Sequence, residues 1–276
     1  MPGRPKILVT NDDGIYSLGL KILYDAVSPL GETIVFAPET PKSASGLGIT
    51  LHKPLRIMQV EYWGIRIYVT NGTPSDIIYL ALNEISSRLD LVVSGINIGD
   101  NTSVQVILSS GTVGAAAQAA LMGVPAVAFS AAVEDNFDFE DEAYMAALRE
   151  VSRAISRFVL ENGLPRGVDV LNVNYPREIT ENTRIKVARV APIKYLQRVN
   201  VNYDPRGNKY FWLYGMHAEP EPGTDVYSVH IEKAITISPL RFDLNPRENT
   251  REIEEYLGRL SREGEAALQN AVTRAS

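Results

Sequence analysis

The sequence predicts an α/β protein built on a mostly parallel sheet. Two observations predict it. Short apolar, β-branched runs alternate with segments of helical period over the first 180 residues, as repeated βαβ units do. Several of those runs are apolar at every position, which suits strands covered on both faces. After about residue 180 the grammar changes to a stretch rich in Tyr, Pro, Gly and Asn, followed by a charged helical tail.

Each element is justified in turn. Ile7-Leu8-Val9-Thr10 reads as a buried strand that stops at the polar turn Asn11-Asp12-Asp13-Gly14. Leu20, Leu23, Tyr24 and Val27 recur at helical spacing, and residues 33–37 form the next strand, closed by Pro38. Residues 55–60 and 65–70 are expected to pair around Trp63-Gly64, and residues 74–82 to form a helix with Pro in its first turn. Residues 89–93 read as a strand ending at Ser94-Gly95-Ile96-Asn97. An Ala-rich helix over 115–122 and a strand over 126–129 follow. A long helix over 141–160 carries Tyr144, Leu148, Val151, Ile155 and Phe158 on one face, and residues 168–173 form another strand. Residues 185–190 and 235–237 also read as strands. Residues 197–227 show no clean period and read as a long loop that is functional or reaches onto a partner. Residues 247–274 form a helix with Ile253, Tyr256, Leu257, Leu260 and Leu268 on its apolar face and a Glu255–Arg259 pair.

Composition limits the function. The chain has 276 residues, 45% apolar and 22% charged, enough for one large domain or one with an appendage. A formal charge of −6 lacks the basic footprint of a nucleic-acid binder. With no cysteine and only His52, His217 and His230, no two of them four apart, thiolate metal sites and a HExxH zinc helix are excluded. No run of eighteen apolar residues suggests a membrane span, and the N-terminus lacks signal-peptide order, so a cytoplasmic protein is expected.

The chemistry gathers at strand ends, where open α/β sheets bind ligands. Asp12 and Asp13 follow the first strand, with Gly14 relaxing the turn; two converging carboxylates repel unless a cation sits between them, and a hard divalent ion suits oxygen ligands. The same residues could instead cap the next helix. Asn97 could offer a carbonyl oxygen from a loop in which Gly95 and Gly99 allow close backbone approach, or that loop could hold only local Asn turns. Ser109-Ser110-Gly111-Thr112 could bind an anion at a helix N-terminus, or merely cap it. Ser43 and Lys42 follow the second strand, in what could be an ordinary surface loop. Together the four suggest metal-assisted hydrolysis of a phosphate ester. His217 and His230 could be acid–base residues, but lone histidines are more often structural. The aromatic run Tyr203, Tyr210, Phe211, Trp212 and Tyr214 could stack on a base, but an interface strand is the favoured reading.

The ordered set Asn11-Asp12-Asp13-Gly14, Ser43, Gly72-Thr73-Pro74-Ser75-Asp76, Ser94-Gly95-Ile96-Asn97 and Ser110-Gly111-Thr112-Val113 resembles the SurE family of metal-dependent nucleotidases. The resemblance continues through Leu171-Asn172-Val173-Asn174-Tyr175-Pro176, Asp204-Pro205-Arg206-Gly207, Gly223-Thr224-Asp225 and Ile237-Ser238-Pro239-Leu240. It implies a Rossmann-like catalytic domain over 1–180 with helices on both faces. It also implies an extension over 181–276 with a terminal helix and an arm exchanged within a homodimer or homotetramer. One Mg²⁺ or Mn²⁺ per subunit would be held by Asp12, Asp13, Ser43 and Asn97. Asn11, Asn101, Ser110, Gly111 and Thr112 would line the phosphate site, with Asn11 counted beside the two aspartates as catalytic. The implied reaction is hydrolysis of nucleoside 5′- or 3′-monophosphates, with short polyphosphate a further substrate of some members. Two other readings compete. A haloacid-dehalogenase-type phosphatase would place its carboxylates two apart, whereas Asp12 and Asp13 are adjacent. A non-catalytic nucleotide sensor of the dinucleotide-binding kind would carry GxGxxG after the first strand, where this chain has Gly14-Ile15-Tyr16-Ser17-Leu18-Gly19.

Overall fold

The computed structural model describes residues 3–245 and 250–275. Nine strands form one sheet in the order β3-β4-β2-β1-β5-β6-β7-β11-β8. These are β1 (Lys6–Thr10), β2 (Glu32–Pro38), β3 (Ile57–Tyr62), β4 (Ile65–Thr70), β5 (Leu91–Ile98), β6 (Ala126–Ala131), β7 (Val170–Tyr175), β8 (Ile185–Val187) and β11 (Ile235–Leu240). From β4 to β7 every pairing is parallel. The antiparallel pairings lie toward the flanks, β3 on β4 and β11 on β7, with β8 parallel to β11.

Burial of both strand faces explains the parallel centre. In β1, Ile7 and Val9 face one side and Leu8 and Thr10 the other, and all four are fully buried. Ile7 and Val9 join one apolar cluster with Leu20 and Leu23 of helix α1 (Leu18–Val27) and Tyr144 and Leu148 of helix α5 (Glu142–Asn162). On the other face helix α2 (Pro74–Leu80) packs on helix α4 (Gly111–Leu121), whose run of alanines allows close approach to the sheet. On α5 the buried face is completed by Val159, not by Phe158, which is 64% exposed.

Three sequence expectations change. Strand β5 runs to Ile98, so Ser94-Gly95-Ile96-Asn97 lies inside a strand and not after one. Helix α4 starts at Gly111, one turn before the alanines, so Gly111 and Thr112 are its first residues. Residues 197–227 are not a loop: β9 (Tyr195–Tyr203) and β10 (Lys209–His217) pair antiparallel through a nine-residue ladder. Its tip, Asp204-Pro205-Arg206-Gly207, closes because the Asp204 carboxylate accepts from the N–H groups of Arg206 and Asn208. Helix α3 (Val104–Ile107) is a single turn, and α6 (Asp225–His230) leads into β11.

The chain divides into a compact unit ending at Arg241 and a second unit from Phe242 onward. The second is dominated by helix α7 (Thr250–Ala275). The helix expected over 247–274 thus appears from Thr250, and Arg247 lies outside the described residues. Glu255 pairs back to Arg251 at 3.1 Å, in place of the expected forward pair with Arg259. Among the described residues no helix is long and apolar enough to cross a membrane.

Candidate active site

The carboxyl ends of β1 and β5 and the amino end of α4 converge on Asp12. Its side chain is buried, and the Thr112 hydroxyl donates to Oδ1 at 2.5 Å. The same hydroxyl lies 3.3 Å from Asn97 Oδ1. One hydroxyl proton cannot serve both oxygens fully, so three oxygens meet where positive charge is short. Neither aspartate caps α1, whose N-cap is Ser17. Burial raises the Asp12 pKa, opposed by the Thr112 hydroxyl and by the backbone N–H groups of Thr112 and Gly111. Asp13 is pushed up to about 7, first by burial and then by the charge of Asp12; its Oδ2 accepts from the Ile98 N–H at 3.2 Å.

Asn97 is aimed by its strand. The pairing of β5 with β6 shifts register between Ser94 and Asn97, a bulge that redirects the side chain. The Asn97 amide nitrogen donates to the carbonyls of Ile98 and Gly99 at 2.9 and 2.6 Å, which turns Oδ1 toward Thr112. Gly95 serves this bulge: its φ is +127°, and a Cβ there would lie 2.1 Å from the Phe129 carbonyl. Its close approach is to the neighbouring strand and not to a ligand. Gly111 is needed for a different reason, since a Cβ would lie 2.7 Å from both Asp12 Oδ2 and Ser45 Oγ.

The remaining expected residues separate. Asn11 closes its own turn, donating to the Gly14 carbonyl at 3.0 Å and accepting from the Gly14 N–H at 3.3 Å. Ser110 caps α4 by accepting from the Val113 N–H at 3.1 Å. Asn101 is buried and held on three sides: its side-chain amide donates to Ser130, its N–H to Asn174 and its carbonyl accepts from Asn172. Ser43 is exposed and makes no hydrogen bond among the described residues, although the adjacent Lys42 N–H donates to the Asp12 carbonyl at 2.7 Å. Sequence reasoning passed over Ser45, whose buried hydroxyl has no partner, and the supports Ser130, Asn172 and Asn174. The alternation of Asn with apolar residues in Leu171-Asn172-Val173-Asn174 was the available signal, since it puts two amides on one face of a buried strand.

Among the described residues no three His, Asp or Glu side chains cluster to hold a metal. The donors here are two carboxylates and neutral oxygens, a set suited to a hard divalent cation that keeps waters in its shell.

Comparison with known proteins places this geometry. Residues 7–197 match the model of the survival protein SurE family. The chain belongs to the SurE family. It is 60% identical over 250 residues to a 5′-nucleotidase SurE of Hyperthermus butylicus, covering 90% of this chain and 89% of that protein. It is 50% identical over 259 residues to one of Pyrobaculum arsenaticum, covering 93% and 97%. A crystal structure of the SurE protein from Aquifex aeolicus superposes with a TM-score of 0.77 at 31% identity, covering 92% of this chain and all of that one.

Not every SurE-like motif of this chain is part of the site. Thr73 and Asp76 form a reciprocal capping box on α2, and Asp76 also accepts from the Thr50 N–H. The buried Asp225 carboxylate accepts from the N–H groups of Ser103, Ala191 and Val226, tying the chain beyond β8 to the loop before α3. Beside the acidic centre, Asp100 is buried and its carboxylate is fully engaged. Oδ1 accepts from the Thr102 hydroxyl, and Oδ2 from Lys194 Nζ at 2.6 Å and from His230 Nε2 at 3.1 Å. Burial acts most strongly on Asp100 and pushes its pKa up, but the hydrogen bonds and charges of His230 and Lys194 together hold it well below the usual range.

Proposed function

We propose that this chain hydrolyses nucleoside 5′-monophosphates to nucleoside and phosphate as a divalent-cation-dependent phosphatase, with 3′-monophosphates and short polyphosphate as lesser substrates. The observation that carries the reading is the convergence of Asp12, Asn97 and Thr112 oxygens beside a second carboxylate, in a chain of the SurE family. One Mg²⁺ or Mn²⁺ per subunit fits this donor set and would be held by Asp12, Asp13, Asn97 and Ser43. When bound, such an ion polarises a phosphoryl oxygen and acidifies water.

The chain's own residues do the rest. The amino end of α4 directs N–H groups and the Thr112 hydroxyl at the oxygen-rich centre, where charge builds on the phosphoryl group. Ser110 fixes that helix end, and Asn101, clamped by Ser130, Asn172 and Asn174, lines the same rim. Asn11 supports the Asp12-Asp13 turn beside the phosphate site. The functional division falls near residue 180: residues 1–180 carry the catalytic groups, and residues 181–276 supply the oligomerisation arm and terminal helix of a homodimer or homotetramer. Two further strands after residue 180 nevertheless complete the main sheet. A cytoplasmic location suits a substrate of this kind.

The test is phosphate release from a panel of nucleotides with Mg²⁺, with Mn²⁺ and with chelator. Release that chelation and Asp12→Asn both abolish is the expected result. Tight nucleotide binding without release would establish the sensor instead. Capture of a phosphorylated Asp12 would replace direct attack by water with an aspartyl-phosphate route.

A further inference from the structure

A cavity of about 340 Å³ opens beside the acidic centre. Gly99 links the two: its carbonyl accepts from the Asn97 amide, and it also lies in the cavity wall. The wall combines the apolar surface of Ala132, Val133 and Val229 with Tyr195, His217 and His230. These three rings form a chain of contacts, Tyr195 to His217 at 5.0 Å between centroids and His217 to His230 at 6.1 Å. Asp100, Glu134, Arg177, Lys194 and Lys233 complete the wall, so the cavity is a polar one with an aromatic side. Charged groups suit a hydroxyl-rich ligand, and aromatic rings accept any base by stacking. A larger cavity of about 420 Å³ lies along the hairpin, but no residue of the acidic centre lines it.

His230 is the polar group with a defined direction. An ionised carboxylate only accepts, so Nε2, 3.1 Å from Asp100 Oδ2, carries the proton. Nδ1, the other ring nitrogen, has no hydrogen-bond partner among the described residues. Lys194 sits on the same carboxylate oxygen at 2.6 Å and is itself buried, so Asp100 cannot swing away to leave the imidazole free. The network resembles a built orienting device more than a surface ion pair.

Resting on the nucleotidase reading, we propose that this cavity receives the nucleoside half of the substrate. The base lies against Tyr195 and His217, and His230 Nδ1 makes a hydrogen bond with a ribose hydroxyl. Asp100 and Lys194 act as positioning residues that fix the orientation of the His230 ring. The sugar is thereby held while the phosphate reaches the Asp12 centre across Gly99.

Two measurements on the full chain test this. The first follows histidine ring nitrogens by NMR, with His230→Gln assigning the signal, during titration with adenosine in the presence of chelator. The His230 resonances are expected to shift and saturate; no movement of them overturns the proposal. The second compares kcat/KM for AMP, 3′-deoxy-AMP, 2′-deoxy-AMP and p-nitrophenyl phosphate. His230→Ala should lower the AMP to p-nitrophenyl phosphate ratio about tenfold through KM, as loss of one ribose hydroxyl does in the parent chain, and the two losses should not add. A proportional fall on AMP and p-nitrophenyl phosphate would overturn it. If the parent chain releases no phosphate from any ester, the nucleotidase reading fails, while the adenosine titration still decides whether the cavity binds nucleoside.

Discussion

Thr112 shows how much rests on single atoms at the acidic centre. Its hydroxyl stands between Asp12 and Asn97, so removing it leaves two acceptors facing each other. Thr112→Ala should reduce phosphate release from AMP by about ten- to a hundredfold, as loss of groups that orient metal ligands does, and Thr112→Ser should recover most of it. Asp12→Asn should cost at least as much. Steady-state kinetics in Mn²⁺ checks all three. Asp13 adds a pH dependence to stability. Its pKa is about 7 in the folded chain against an ordinary 3.8, so the folded state holds a proton that the unfolded state releases. Stability is therefore complete below about pH 4 and is lost as pH rises through 7, a loss of up to about 4 kcal/mol. Urea midpoints without divalent cation should fall between about pH 4 and 7 and level off above, and Mg²⁺ or Mn²⁺ at pH 8 should restore them. A flat profile would show that Asp13 is solvated.

At the scale of elements, the motifs quoted from the sequence divide into those that act and those that build. Asp76 belongs to the second kind. Its carboxylate closes the capping box on α2 and anchors Thr50, so Asp76→Ala should destabilise the fold by about 1–2 kcal/mol. Under saturating cation, the same variant should hydrolyse AMP with little change in KM. Denaturation curves and kinetics separate the two effects. The parallel centre was legible in the sequence because buried strands flanked by helices on both faces carry unbroken apolar runs, as Ile7-Leu8-Val9 in β1 and Ala126-Val127-Ala128-Phe129 in β6 do. The extent of β5 was not. Ser94, Gly95 and Asn97 read as turn residues, yet they continue a strand, because the bulge and the contact of Gly95 with Phe129 depend on the neighbouring β6. The β9–β10 ladder was legible only in part, through the aromatic run that reads as an interface strand. β10 carries apolar and aromatic residues on both faces and so shows no alternation of period two, and β9 alternates only over residues 199–203, too short a signal beside the surrounding Pro, Gly and Asn. The oxygen-rich runs of the sequence contain Asp12, Asn97 and Thr112, which the fold brings together, whereas Ser45 and the Asp100–Lys194–His230 network join distant segments and leave no local pattern.

At the scale of the whole molecule that hairpin poses a physical problem. All nine residues of β10 are exposed, with Phe211, Trp212 and Leu213 at 60, 64 and 84%. Two-stranded hairpins alone are marginal in water, and aromatic surface of this extent marks a protein contact. Tyr195 and His217 sit at the root of the two strands and also line the cavity beside the acidic centre, so whatever orders the hairpin also orders that wall. A second copy of the chain is the partner expected from the family. Sedimentation velocity should therefore find a dimer or tetramer, and Trp212→Glu with Leu213→Glu should shift it toward monomer with the far-ultraviolet circular dichroism of the main sheet retained. Because the hairpin root borders the nucleoside side of the site and not Asp12, dissociation should raise KM for AMP more than it lowers turnover of p-nitrophenyl phosphate. A parent chain that is monomeric at every concentration, with full activity, would show instead that the hairpin stands unaided and that its aromatic faces serve another partner.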